Sequence, residues 1–341
     1  MAMTIYARLL ALAQNLAKIA TVSRVLNGSE NVRPSTRKKV MDVIDKYDYT
    51  PNAFARGMGL HSLKTIGILC ADSSDLFLAK AVYFLEQELQ ANGYESLLCC
   101  TGYNPDIKKN YLNLILSKKV DSIILVGSHF IGFNEDENQY IKDVSTQIPI
   151  MLLNASFDHP NVYSTLCDDY GTMFEAATEM IQSGITDILY LYDSKSYSGL
   201  KKLHGFCDAM KEHNIPGFEK LIHFYDGNIE HLNEVADFVA RIATKGTSFH
   251  GIMTSDDSLA IGSIKYAQKK GIRIPEDLSV MGYNNSMLTN CCTPELTSVD
   301  NRLETQTHQL VQTLLGVLAG EEMPKKSIFS GKIIKRGTTL F

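Results

Sequence analysis

Arg24 sits in Thr21-Val-Ser-Arg-Val-Leu-Asn27, where polar and apolar residues recur at helical spacing. A short helix over Thr21–Leu26 turns Val22, Val25 and Leu26 into a small core and leaves Thr21, Ser23 and Arg24 outside, a division that suits a helix laid in the major groove of DNA. A guanidinium is the side chain best shaped to bond guanine edges with two parallel hydrogen bonds. A second set of residues follows short apolar runs farther along the chain: Asp72 and Phe77, Asp168 and Asp169 ahead of Gly171, Asp256 and Asn284. Carboxylates, an amide, a cation and an aromatic face are the partners that a neutral, hydroxyl-rich small molecule requires. Each residue also has a plainer reading. Asp168 or Asp169 can cap the 171–183 helix, and Phe77 can be core packing.

Catalytic motifs are missing. After the first apolar run the chain reads Ala71-Asp-Ser-Ser-Asp75 instead of a glycine-rich dinucleotide turn, and it contains no P-loop, H-E-x-x-H or G-x-S-x-G. The seven cysteines include the adjacent pairs Cys99-Cys100 and Cys291-Cys292 but no C-x-x-C, and the histidines are scattered, so reduced thiols and neither metal nor cofactor are expected. No enzymatic activity is expected.

The elements that must position these residues change character along the chain. After Pro34, Ser35 opens a helix in which Val40, Val43 and Ile44 recur at helical spacing as far as Tyr47. Pro51 precedes a segment, Asn52–Met58, able to form a helix too short to be stable alone. From Lys64 onward, apolar strands alternate with helices. The first set is Ile66–Cys70, Glu95–Cys100, Ser122–Val126 and Ile150–Leu153; the second is Ile188–Leu191, Lys220–Phe224, Gly251–Thr254 and Leu278–Met281. Uniformly apolar strands separated by helices predict buried parallel sheets, and two sets predict two α/β lobes. A helix over 304–318 is expected to return to the first lobe after a crossing near Pro294–Asp300.

The 341 residues, 45% of them hydrophobic, are enough for two or three domains with ordinary cores. A net charge of -5 conceals an asymmetry: residues 1–64 hold ten Lys or Arg against four acids, leaving 23 basic and 34 acidic residues in the remainder. A basic head on an acidic body predicts nucleic acid as a partner at one end only. With neither a membrane-spanning apolar run nor a signal-peptide pattern, the expected location is cytoplasmic.

Three linked motifs, T-V-S-R-V-L-N, R-P-S-T-R (33–37) and Y-x-P-N-A-x-A-R (49–56), resemble in order and spacing the LacI family of bacterial transcriptional regulators. The likeness extends from Lys64-Thr-Ile-Gly67 to Lys335-Arg-Gly-Thr338. It implies an α/β fold: an N-terminal helix-turn-helix headpiece (1–50), a hinge helix and linker (51–63), and a two-lobed, periplasmic-binding-protein-like effector and dimerisation domain with doubly wound parallel sheets (64–341). The implied partners are a palindromic double-stranded DNA operator, a second copy of the chain, and a small molecule, expected to be a carbohydrate, in the inter-lobe cleft. The resemblance assigns DNA contacts to Thr21, Val22, Ser23, Arg24, Asn27, Tyr49, Asn52 and Arg56, and a minor-groove wedge to Met58, where the family usually has Leu. It assigns effector contacts to Asp72, Phe77, Asp168, Lys202, Asp256 and Asn284. Lys202 stands where an Arg is usual and Asn284 where an Asp is usual, so the family's ligand does not transfer directly.

One segment departs from that pattern. Ala7–Ala20 has no glycine, no acidic cap and three extra residues before Thr21, so the turn ahead of the recognition helix is overwritten. An altered reading frame over these residues would explain the abrupt loss and recovery. The expectation is impaired specific DNA binding by this chain, the alternative function being a sugar-binding protein without a working head.

Overall fold

A computed structural model describes residues 21, 24, 25, 31–46, 62–244 and 246–341, and the chain divides into two compact units at Thr65/Ile66. In the first unit, Thr21, Arg24 and Val25 are helical, with Val25 buried and Arg24 exposed. Helix α1 (Pro34–Lys46) opens at Pro34, one residue before the expected Ser35; the proline's missing N–H costs nothing in a first turn, and the Arg33 carbonyl accepts from the Arg37 amide at 3.0 Å. Val32 and Val40 are buried with Val25, while Arg33, Lys38 and Lys39 are exposed. Residues 7–20, Val22, Ser23, Asn27, Tyr49, Asn52, Arg56 and Met58 lie outside the described residues.

The second unit contains two six-stranded sheets. The first has the order β11-β5-β4-β3-β1-β2, with β1 Thr65–Cys70, β2 Glu95–Cys100, β3 Ser122–Val126, β4 Ile150–Leu153, β5 Val162–Cys167 and β11 Lys326–Phe329. Its β1–β3, β3–β4, β4–β5 and β5–β11 pairings are parallel. Successive side chains of a strand leave opposite faces, and the buried residues divide accordingly. Ile66, Ile68 and Cys70 join a core under α2 (Leu76–Ala91) and α9 (Leu303–Leu318), whereas Leu69, Ile123 and Leu125 join one under α3 (Pro105–Ser117) and α4 (Gln139–Ser145).

The second sheet, β12-β10-β9-β8-β6-β7, comprises β6 Ile188–Tyr192, β7 Ile222–Phe224, β8 Gly251–Thr254, β9 Ser279–Tyr283, β10 Thr297–Asp300 and β12 Lys332–Ile334. β12 runs antiparallel to β10. One face packs on α5 (Asp169–Gln182) and α6 (Tyr197–Glu212), the other on α7 (Leu232–Thr244) and α8 (Asp257–Lys270). The chain passes between the sheets three times, at Asp168, at Asn301–Arg302 and at Ser330–Gly331.

The two sets of strands fall in two sheets as their spacing predicts, and α9 returns to the first lobe. Three details differ. Glu95–Cys100 is expected to be buried but forms the edge of its sheet, with Leu97 and Leu98 exposed. The strand expected at Lys220 starts at Ile222, because Phe218–Leu221 is taken up in a 3-10 turn. The segment expected to cross between lobes forms β10, and the crossing follows it.

Candidate functional site

Among the described residues, five helices follow strands and start with a side-chain cap: Asp75 on α2, Asn104 on α3, Asp168 on α5, Ser196 on α6 and Asp256 on α8. These acceptors satisfy amides that the helix cannot pair internally, and the capped ends of α2, α6 and α8 line a cleft between the two sheets. The first lobe contributes Asp75, Phe77, Tyr103 and His129; the second contributes Asp193, Lys202, Asp256 and Asn284. The cleft encloses ≈ 80 Å³ and adjoins a groove of ≈ 650 Å³ through Phe77 and Asn284. Serines bridge the lobes: Ser128 Oγ donates to Ser196 Oγ at 2.8 Å, and Ser194 Oγ lies 3.4 Å from His129 Nε2.

Lys202 is buried and held on two sides. Its Nζ donates to the Ser255 carbonyl at 3.0 Å and sits 3.9 Å from the centroid of the Tyr283 ring. The Tyr283 hydroxyl donates to Asp169 at 2.6 Å, and Ser198 donates to the other oxygen of the same carboxylate at 2.5 Å. Burial pushes the Asp169 carboxyl up, while Lys202 and these two donors pull it down. The second lobe thus holds a packed cation whose charge answers the Asp169 and Asp256 carboxylates.

Asn284 bridges the cleft and the crossing strands. Its Nδ2 donates to Asp256 at 2.8 Å, its Oδ1 accepts from Asn301 Nδ2 at 3.0 Å, and Gln306 of α9 donates to the Asn301 carbonyl at 2.6 Å. Asn284 has φ 97°, a conformation that Asn tolerates better than most residues. A carboxylate in place of this amide would stand against that of Asp256. Burial and Asp193 already push Asp256 up. Burial first, then Asp256 and Asp193, push Asp75 to about 6, against a lowering hydrogen bond from the Leu78 amide. His129 is lowered to about 4 by burial and by Lys108.

Of the effector residues expected from the sequence, Phe77, Lys202, Asp256 and Asn284 line the cleft. Asp72 and Asp168 do not. Asp72 accepts from the Ser74 amide and hydroxyl within its own turn, and Asp168 is turned out to cap α5 while its neighbour Asp169 points inward. Sequence reasoning passed over Asp75, Asp193, His129 and the serines 128, 194 and 196. Asp193 had a usable signal, since it directly follows β6. Among the described residues, no group of three or more His, Cys, Asp or Glu could hold a metal ion, and no helix is long and apolar enough to cross a membrane.

The sequence matches two family descriptions, "Bacterial regulatory proteins, lacI family" over residues 18–52 and "Periplasmic binding protein-like domain" over residues 177–339. An "HTH-type transcriptional regulator" of Lachnoclostridium phytofermentans is 49% identical over 323 residues, covering 95% of this chain and 96% of that protein. Among solved structures, the lac repressor dimer bound to operator and the anti-inducer ONPF superposes with a TM-score of 0.84 at 19% identity, covering 98% of each chain. A transcriptional regulator CelR–cellobiose complex superposes with a TM-score of 0.70 at 20% identity, covering 97% of this chain and 98% of that one. The basic recognition motif, the two-lobed fold and this degree of identity over nearly the whole length agree: the chain belongs to the LacI family of DNA-binding transcriptional regulators.

Proposed function

We propose that this regulator is a repressor that binds a palindromic operator as a homodimer and whose operator affinity is set by a carbohydrate held between its two lobes. The observation that carries the reading is the convergence of Asp75, Asp193, Asp256, Asn284 and Lys202, with the Phe77 and Tyr103 rings, at strand ends of both lobes. Such a set supplies acceptors and donors for hydroxyls and flat faces for a sugar ring. The cellobiose complex of a protein with the same fold supports the ligand class. A cleft of ≈ 80 Å³ lies below the ~300 Å³ at which small-molecule pockets begin, so a sugar enters by parting the lobes or by extending into the adjoining groove. A ligand that prefers one separation of the lobes biases the whole equilibrium.

In the head, Arg24 is the base-reading residue in this proposal, with Thr21, Ser23 and Asn27 at or near phosphates. Fluorescence anisotropy with DNA upstream of the protein's own gene, at two salt concentrations and with and without mono- and disaccharides, tests both halves. A head that works despite the altered 7–20 segment gives selective binding that weakens with salt and shifts with one sugar. Equal affinity for random DNA would reject the operator half, and a flat response to every sugar would reject the effector half.

A further inference from the structure

The ends of β1 and β2 hold two thiols side by side. Cys70 Sγ and Cys100 Sγ are 3.7 Å apart, Cys70 fully buried and Cys100 exposed. They stand on neighbouring strands whose ends are tied by Thr101 N–H to Cys70 O at 2.9 Å and Gly102 N–H to Ala71 O at 2.8 Å. Adjacent strands lie ~4.8 Å apart. That spacing falls within the ~4.4–6.8 Å between Cα atoms that a disulfide spans. Cys99, although next in sequence to Cys100, turns the other way and packs into the core beneath α3 and α4.

We propose that Cys70 and Cys100 form an oxidisable dithiol, converted by hydroperoxides to a reversible disulfide at the base of the cleft loop. The division of labour follows from exposure. The Cys100 thiolate attacks the near oxygen of ROOH; the O–O bond breaks, ROH leaves once protonated, and Cys100 becomes a sulfenic acid. Cys70 sulfur then attacks Cys100 sulfur; the S–S bond forms, the S–O bond breaks, and the departing hydroxide takes the Cys70 proton and leaves as water. Two thiols lose two electrons and ROOH gains them. Burial, the Cys100 hydrogen bond and the charges of Asp72 and Asp75 push the Cys70 thiol up to about 12, which agrees with the exposed Cys100 being the thiol that meets the peroxide.

The linkage has a structural consequence. The sulfurs must close from 3.7 Å to about 2.05 Å, drawing the exposed edge strand toward the start of the 71–75 turn, which carries Asp75 into the cleft.

The test uses the full-length protein, reduced, then exposed to hydrogen peroxide and alkylated. The intact mass is expected to fall by that of two hydrogen atoms, with two thiols blocked and both recovered after dithiothreitol. Lys64 and Lys80 place Cys70 in one tryptic peptide and Lys80 and Lys108 place Cys99 and Cys100 in the next, so the linked pair is isolated directly by non-reduced digestion. Cys99→Ser is expected to keep the linkage and Cys100→Ser to lose it, with unchanged circular dichroism in both. A Cys99–Cys100 link, a disulfide between subunits, over-oxidised Cys100 beside a free Cys70 thiol, or no oxidation at all overturns the proposal.

Discussion

At the residue scale, the cleft is organised by an acid facing an amide. Asp256 and Asn284 share a hydrogen bond of 2.8 Å, and the polarity of that pair fixes which way the Asn284 amide points and therefore which way Asn301 must donate. Asn284→Asp places two carboxylates in contact beside Asp193 and is expected to cost about 1–3 kcal/mol of stability near neutral pH. Adding Asp256→Asn reverses the pair and should restore most of the loss, since Asn also caps a helix start well. Urea unfolding of the two single variants and the double variant closes this cycle, and additive losses would refute the pairing. The neighbouring Asp257 sets a pH dependence. It is buried, accepts from Ser298 Oγ and the Ser286 amide at 2.6 Å each, and is pushed from the ordinary 3.8 to about 7 by burial and by Asp256. A carboxyl raised on folding binds its proton more tightly in the native state. Its contribution is therefore complete below 3.8 and is lost as pH rises toward about 7. Stability is expected to decline with rising pH across that window, and Asp257→Asn should flatten the decline; an equal slope in both proteins, measured by urea midpoints, would show that another group is responsible.

At the scale of elements, periodicity was a good guide wherever burial is symmetric. The strands 66–70, 122–126, 150–153 and 251–254 are mostly apolar because helices cover both faces of their sheets. The strands that escaped notice have a physical reason for it. Val162–Cys167 interrupts its apolar residues with Tyr163, Ser164 and Thr165, and Lys326–Phe329 and Lys332–Ile334 lie at the edges of their sheets. Candidate cleft residues were legible where an acid or amide follows a strand, as for Asp256 and Asn284. Which of two adjacent acids turns inward was not legible: Asp168 and Asp169 are told apart only by the phase at which α5 starts. Helix packing is equally invisible in sequence pattern. Gly205 lies where α6 crosses α5 so closely that a Cβ would stand 2.3 Å from the Tyr170 carbonyl oxygen and 3.1 Å from the Phe174 amide nitrogen. Backbone cannot step aside as a flexible side chain does. Gly205→Ala is expected to destabilise the second lobe by about 1–3 kcal/mol despite alanine's higher helix propensity, lowering the calorimetric midpoint by several degrees. An unchanged midpoint would mean that the helices can separate at no cost.

At the scale of the molecule, the second unit is two rigid sandwiches joined by three crossings, so its accessible motion is a change in their separation and not a deformation of either core. Two sets of contacts bias that motion. The serine bridge from Ser128 to Ser196 holds the lobes at the mouth, and the chain Asp256–Asn284–Asn301–Gln306 runs from the cleft through a crossing into α9 of the first lobe. The second route is only partly satisfied: Asn301 Oδ1 and Gln306 Oε1 are buried without a hydrogen-bond partner. Buried acceptors in that condition are costly, and an arrangement of the lobes that supplies donors to them is favoured by that amount. A ligand drawing on Asp256 or Asn284 would act on the first link of this chain. Asn301→Leu removes the connection and leaves the DNA-binding motif untouched, while also replacing an amide that lines the adjoining groove. If a carbohydrate controls operator affinity through lobe separation, this variant should bind DNA without ligand much as the parent does, while the ligand's effect on that affinity shrinks by ~0.5–2 kcal/mol, from a few-fold to tens-fold. The comparison needs the sugar's own affinity for each protein by calorimetry, because reciprocity requires the coupling lost at the DNA to be lost equally at the sugar. A variant that keeps full coupling would place the control in the other crossings, at Asp168 and Gly331, where the Asp168 amide donates to Phe329 O and the Gly331 amide to Thr172.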